Sequence, residues 1–259
     1  MKLLLVVYYV ILIYFFHCNG NLVHKKQLKD RSIGEEGPFF EGDIVLTPSQ
    51  KEALSFEGQD LWRVAFRELV RLWPDKTVPY IWDHHSSFTD DEKNMIIDAM
   101  KYIEKNTCIK FKPHQGQQEQ DHMVVTQEAP GCWANLGRGK IQKLNLSGEC
   151  MINGTIVHEM LHILGFFHAH AAPNRDQFID IKWKNLNRTF NDNFKKLSKT
   201  DSTMLDLPYD YDSILHYPQT AFSVNGEDTI VPKKEGVKIG QRIRLSELDV
   251  KRINKLYKC

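Results

Sequence analysis

Short apolar runs are separated along this chain by long polar stretches, and the period of each run predicts an element. Residues Leu3 to Phe16 form an unbroken apolar run behind Lys2. The run is short for a bilayer span of about 20 residues. With Cys18-Asn19-Gly20 after it, the pattern predicts a secretory signal peptide over residues 1–20, cleaved after Gly20. Residues 21 to about 60 are polar and charged with little periodicity, as in a linker or pro-segment, and hold one apolar island, Phe39-Phe40-Glu41-Gly42-Asp43-Ile44.

From Val78 the pattern tightens. Val78 to Trp82 is a β-rich run. Thr89-Asp90-Asp91-Glu92 reads as a capping box, and Met95, Ile96, Met100 and Ile103 trace one apolar helical face ending near Asn106. That helix is expected to cover a sheet. Cys108 to Phe111 and His122 to Thr126 read as strands, and Ile141 to Leu146 alternates as an edge strand does. An exposed edge could take an extended peptide by β-augmentation. After His168 regular signals thin: Pro173 stops any helix, Lys182 to Lys196 is of mixed helical character, and Leu207 to Asp212 is loop-rich. A closing helix is capped by Ser246-Glu247-Leu248-Asp249, with Val250, Ile253, Leu256 and Tyr257 on its apolar face.

Chemistry enters at His158-Glu159-Met160-Leu161-His162-Ile163-Leu164-Gly165-Phe166-Phe167-His168, which reads H-E-x-x-H-x-x-G-x-x-H. Residues four apart share a helix face, so the imidazoles of His158 and His162 can converge on one ion. Gly165 can enter left-handed space without cost and turn the chain back, making His168 a third ligand. Three histidines leave a position open, as in a catalytic rather than a structural zinc site. Glu159 can take the proton of an attacking water and pass it to a leaving amine.

Composition narrows the class. With 259 residues, 42% hydrophobic and 26% charged, the chain suits one medium globular domain with some chain to spare. A net charge of +1 with no Lys/Arg run excludes a nucleic-acid partner of the usual electrostatic kind. Removal of the signal takes Cys18 and leaves Cys108, Cys132, Cys150 and Cys259, which in an oxidising compartment predict two disulfides in one of three pairings. Sequons at Asn145, Asn153 and Asn187 suit a secretory route and a glycoprotein. In the apolar island, Gly42 beside Asp43 could let a carboxylate approach a metal as a hard oxygen ligand.

The extended zinc motif running on through Pro173-Asn174-Arg175-Asp176, the downstream Ser213-Ile214-Leu215-His216-Tyr217, the Phe40-Glu41-Gly42-Asp43 segment and the cysteine placement resemble the astacin family of secreted zinc endopeptidases, within the metzincins. The likeness runs from about residue 39 to the C-terminus. It implies an α+β, two-lobed catalytic domain: a twisted mixed sheet and helices above the active-site cleft, and an irregular lobe below. It implies disulfides Cys108 with Cys259 and Cys132 with Cys150. One Zn2+ would be held by His158, His162 and His168, with Glu159 as general base and Asp43 blocking the metal in a zymogen. Tyr217 matches the family's fifth zinc ligand, which swings away and steadies the oxyanion, a role a phenol donor can fill. The implied organisation is a signal over 1–20, a propeptide over 21–63 and a catalytic domain over 64–259. A trypsin-like protease would cut after Arg63, or at its neighbour Arg67.

The chain departs from the family pattern at three positions. Leu215 stands for a methionine beneath the metal, a near volume-conserving change expected to cost under about 1.5 kcal/mol. Ala169 replaces a glutamate that meets the newly formed N-terminus, and Asn174 replaces an aspartate. The expected protein is a secreted monomer, free of the membrane once the signal is gone, acting on protein or peptide substrates. A zinc-bound pseudoprotease acting as a binding module is the alternative. Retention of Glu159, all three histidines and Tyr217 weighs against it, since binding alone needs no poised base.

Overall fold

The computed structural model describes residues 35–55, 71–116, 120–198 and 205–259. The expected signal and the expected cut at Arg63 or Arg67 therefore lie outside the described residues. In chain order the elements are β1 (Ile44–Val45), α1 (Pro48–Ser55), β2 (Thr77–Trp82), α2 (Asp90–Asn106), β3 (Lys110–Pro113) and β4 (His122–Thr126). There follow β5 (Cys132–Asn135), β6 (Ile141–Leu146), α3 (Asn153–Ile163), β7 (Ile179–Ile181), β8 (Ile230–Pro232) and α4 (Glu247–Leu256).

Six strands form one mixed sheet in the order β1-β5-β6-β4-β2-β3. The β2–β3, β2–β4 and β4–β6 pairs are parallel and β5–β6 is antiparallel. Helix α2 begins where the sequence says it should: Thr89 Oγ1 accepts the Glu92 N–H, and the Thr89 N–H donates to Glu92 Oε2 at 2.8 Å. Its Ile96, Ala99, Met100 and Ile103, at helical spacing, are buried in one core with Val78, Met123, Leu144 and the apolar flank of α3. Each fully buried aliphatic side chain contributes about 1.5–3 kcal/mol, so this face fixes α2 on the sheet. The C-terminal α4 adds Ile253 and Tyr257 to the same core.

Below the sheet the chain has little regular structure. Short 3-10 turns, the antiparallel β7–β8 pair and a second core of Phe194, Tyr209, Tyr217, Phe222 and Ile230 make up the lower lobe. Disulfides Cys108–Cys259 (Cα–Cα 5.5 Å) and Cys132–Cys150 (5.7 Å) tie α4 to the start of β3 and β5 to the approach to α3. Among the described residues no helix is long and apolar enough to cross a membrane.

Several sequence expectations change. Ile141–Leu146 is not an edge: β6 lies between β5 and β4 and is bonded on both sides. Leu144, Asn145 and Leu146 are buried on both faces while Ile141 is exposed, and edge position depends on non-local pairing that a strand's own residues do not encode. The edge strand on the β5 side is β1, from the stretch before residue 60, which pairs with β5 in parallel, Ile44 opposite Ala134. The described part of that stretch, residues 35–55, carries both β1 and α1. The strand expected at Cys108–Phe111 forms at Lys110–Pro113. Asn145 is fully buried, its amide donating to the Ala129 and Gly131 carbonyls, so this sequon is closed to a glycan in the fold.

Candidate active site

Helix α3 is buried from Gly154 to Ile163, with Ile156, Val157, Met160, Leu161 and Ile163 in the main core. Gly154 lets its first turn touch the backbone of Arg242, where a Cβ would overlap the Arg242 carbonyl. At the far end Gly165, with φ +98, donates its N–H to the His162 carbonyl at 2.8 Å and turns the chain out of the helix. The next residues bring His168 back toward the helix.

The three histidines meet through their Nε2 atoms: His158 to His162 at 3.1 Å, His158 to His168 at 3.2 Å. Their other nitrogens are engaged elsewhere. His158 Nδ1 donates to the Ile214 carbonyl at 2.8 Å, His162 Nδ1 to the Phe166 carbonyl at 2.6 Å, and His168 Nδ1 to Glu41 Oε2 at 2.9 Å.

Asp43, from the stretch before residue 60, closes the cluster. Its Oδ2 lies 3.2 Å from His158 Nε2 and 3.3 Å from His168 Nε2, and its Oδ1 lies 3.6 Å from His162 Nε2. The turn that delivers it is built on Glu41 and Gly42, both at positive φ (46 and 85), with the Gly42 N–H bonded to the Phe39 carbonyl. A Cβ at Gly42 would press on the Glu35 carbonyl and the Phe222 ring. Upstream, Glu35 forms a buried ion pair with Arg242, its oxygens 2.8 and 3.0 Å from Nε. The Tyr217 hydroxyl donates to the Glu41 carbonyl, and its ring stacks on His170 with centroids 3.8 Å apart.

The electrostatics of the cluster are those of a cation site. Burial alone would raise the Asp43 carboxyl, but the charges of His168 and His162 outweigh it and hold Asp43 well below the carboxylate range. Burial lowers His168, yet the Asp43 and Glu41 carboxylates win and push it up to about 9. Burial, followed by the Asp43 and Glu35 charges, pushes Glu159 well above its usual value. Among the described residues neither Glu159 carboxylate oxygen has a hydrogen-bond partner.

These residues fit a zinc ion. With each Nδ1–H donating, the three Nε2 atoms and a carboxylate face one spot, so once His168 gives up its Nε2 proton three nitrogen lone pairs and a negative charge are offered to a cation there. Tetrahedral ligation with Zn–N of about 2.0–2.1 Å sets ligand nitrogens about 3.3–3.4 Å apart, close to the separations found. Asp43, His158, His162 and His168 are all buried and share that spot.

Residues 65–258 match the family model for astacin, a peptidase family. The chain belongs to the astacin family. It is 42% identical over 232 residues to seminal metalloprotease 1 of Drosophila melanogaster, covering 85% of this chain and 87% of that protein. It is 37% identical over 225 residues to zinc metalloproteinase nas-4 of Caenorhabditis elegans, covering 86% and 70%. Among solved structures it resembles high choriolytic enzyme 1, a hatching enzyme zinc-protease of Oryzias latipes, at 35% identity and a TM-score of 0.66 over 73% of this chain and 94% of that one. This astacin is therefore a zinc metalloendopeptidase that uses one zinc ion, with the α+β two-lobed fold of its relatives.

All the residues expected to carry chemistry in this astacin come together, with Glu159 on the buried helix between the first two histidines. Leu215 is buried, its carbonyl accepting the Ala169 N–H at 3.0 Å. The sequence reading gives no site role to Glu35, Glu41 or Arg242 and reads Asp249 only as part of a helix cap. A signal exists for the first two: four carboxylates, Glu35, Glu36, Glu41 and Asp43, lie within or just before a single apolar island. Nothing local marks Arg242, which lies 207 residues from its partner.

Proposed function

We propose that this astacin is made as a secreted zymogen: a signal over residues 1–20, a pro-segment over 21–63, and a catalytic domain over 64–259 that a trypsin-like protease frees as a monomer. The observation that carries the reading is the seat of the Asp43 carboxylate, 3.2 Å from His158 Nε2 and 3.3 Å from His168 Nε2. A fourth donor from the pro-segment fills the position that a substrate carbonyl or water needs.

In this reading His158, His162 and His168 hold zinc, and Asp43 completes the set in the uncut chain. Zinc, when bound, supplies Lewis acidity to a scissile carbonyl and acidifies water. Glu159, on the buried helix next to the first histidine, takes the proton of the attacking water and returns it to the leaving amine. A phenol ordinarily keeps its proton up to about pH 10, and in the uncut chain burial, then Asp43 and Glu41, raise Tyr217 further. It can thus donate to charge developing on the carbonyl oxygen. In the uncut chain that donor is spent on the Glu41 carbonyl.

The test is cleavage of a denatured protein by trypsin-treated chain, beside Glu159→Ala and a chelated sample. Activity in wild type alone, lost on chelation and restored by zinc, supports the reading. Equal inertness of trimmed, zinc-loaded wild type and Glu159→Ala would overturn it.

A further inference from the structure

Two of the three histidines are oriented by their own domain. His158 and His162 donate their Nδ1 protons to the backbone carbonyls of Ile214 and Phe166. These acceptors remain when the pro-segment leaves. His168 differs: its Nδ1 donates to a side chain of the pro-segment, Glu41 Oε2.

Glu41 is committed to this contact. The same oxygen also accepts the backbone N–H of His168 at 3.1 Å, so ring and peptide are gripped together. The residue is 1% exposed, and among the described residues its other carboxylate oxygen has no hydrogen-bond partner. Its backbone takes φ 46, and its carbonyl receives the Tyr217 hydroxyl. One residue of the pro-segment thus restrains two residues of the catalytic cleft.

We propose that Glu41 is a positioning residue for the third metal ligand, so that the uncut chain holds zinc more tightly than the trimmed enzyme, partly through a contact that is not itself a ligand. The inference rests on the reading of His168 as a zinc ligand. A carboxylate behind an imidazole fixes its tautomer and ring plane and raises its basicity, and loss of such a partner weakens metal affinity about 10–100-fold. Asp43 blocks the metal from the front while Glu41 aligns a ligand from behind. Trimming removes both, and leaves His168 without the acceptor that its two companions keep.

Zinc affinity, measured by competition with a chromophoric chelator, separates the two contributions. In an Asp43→Ala background, which removes the front contact, Glu41→Ala should weaken zinc binding by a further 10–100-fold or so. Glu41→Gln should restore most of the loss, because an amide oxygen still accepts the Nδ1 proton. Affinities of Asp43→Ala and Asp43→Ala/Glu41→Ala within about twofold of one another, on folded protein, would overturn the proposal. Should the double variant fail to fold, uncut Asp43→Ala is compared with trimmed wild type. Tighter binding by the uncut form supports the proposal, and equal binding overturns it. Failure of the underlying site reading looks different: His168→Ala would then bind zinc as wild type does.

Discussion

Asp249 and His158 are joined through a single residue, Ile214, whose N–H donates to Asp249 Oδ2 at 2.9 Å while its carbonyl accepts His158 Nδ1 at 2.8 Å. The same carboxylate accepts the Ser213 hydroxyl at 2.7 Å and closes the capping box of α4 with Ser246. A helix cap therefore aims a metal ligand. Asp249→Ala should lower unfolding free energy by about 3 kcal/mol, from a lost cap and buried donors left unpaired. Denaturant unfolding measures this, and Asp249→Asn should retain part of it.

The Glu35–Arg242 pair should contribute to the pH response of the uncut chain. Burial favours the neutral acid, but the Arg242 charge and its hydrogen bonds outweigh it and hold Glu35 below its usual 4.5. A lowered carboxyl stabilises the docked state fully above 4.5, and the contribution is lost as pH falls below that through the lower docked value. Thermal unfolding of uncut wild type should weaken across that window more than that of Glu35→Gln. Glu35→Ala, which leaves Arg242 buried and unpaired, should destabilise the uncut chain by about 3–5 kcal/mol at neutral pH.

Asp43→Ala should let the uncut chain cleave a small fluorogenic peptide. Loss of even about 1.4 kcal/mol of docking energy opens the cleft ten times as often. Activity indistinguishable from that of uncut wild type would show that bulk, not this carboxylate, closes the cleft.

Gly154→Ala should be among the most damaging single-methyl changes in the molecule. The added Cβ falls on the Arg242 backbone, which cannot yield without moving the guanidinium that holds Glu35. An overpacking cost of about 3 kcal/mol follows, read as lost secretion yield or a lowered melting temperature.

What can be read from the sequence depends on distance along the chain. The histidine motif, the Gly165 turn and the capping boxes at Thr89 and Ser246 are local, and each forms where the residues indicate. The position of β6 in the sheet is not local, and its six residues do not distinguish an edge from an interior strand. Glu41 and His168 are 127 residues apart. No periodicity links them, so their contact becomes visible only in the fold. The disulfide pairing lies between, legible by family likeness and not from spacing.

The turn at Phe39–Gly42 has a meaning in time as well as in space. A ribosome makes Glu41 and Asp43 before any histidine they touch, Asp43 preceding His158 by 115 residues. It makes Asp249, which steadies that histidine, after all three ligands. At every stage of synthesis the carboxylate is older than the histidines it meets, so under the zymogen reading proposed above the stopper is made before the site it stops.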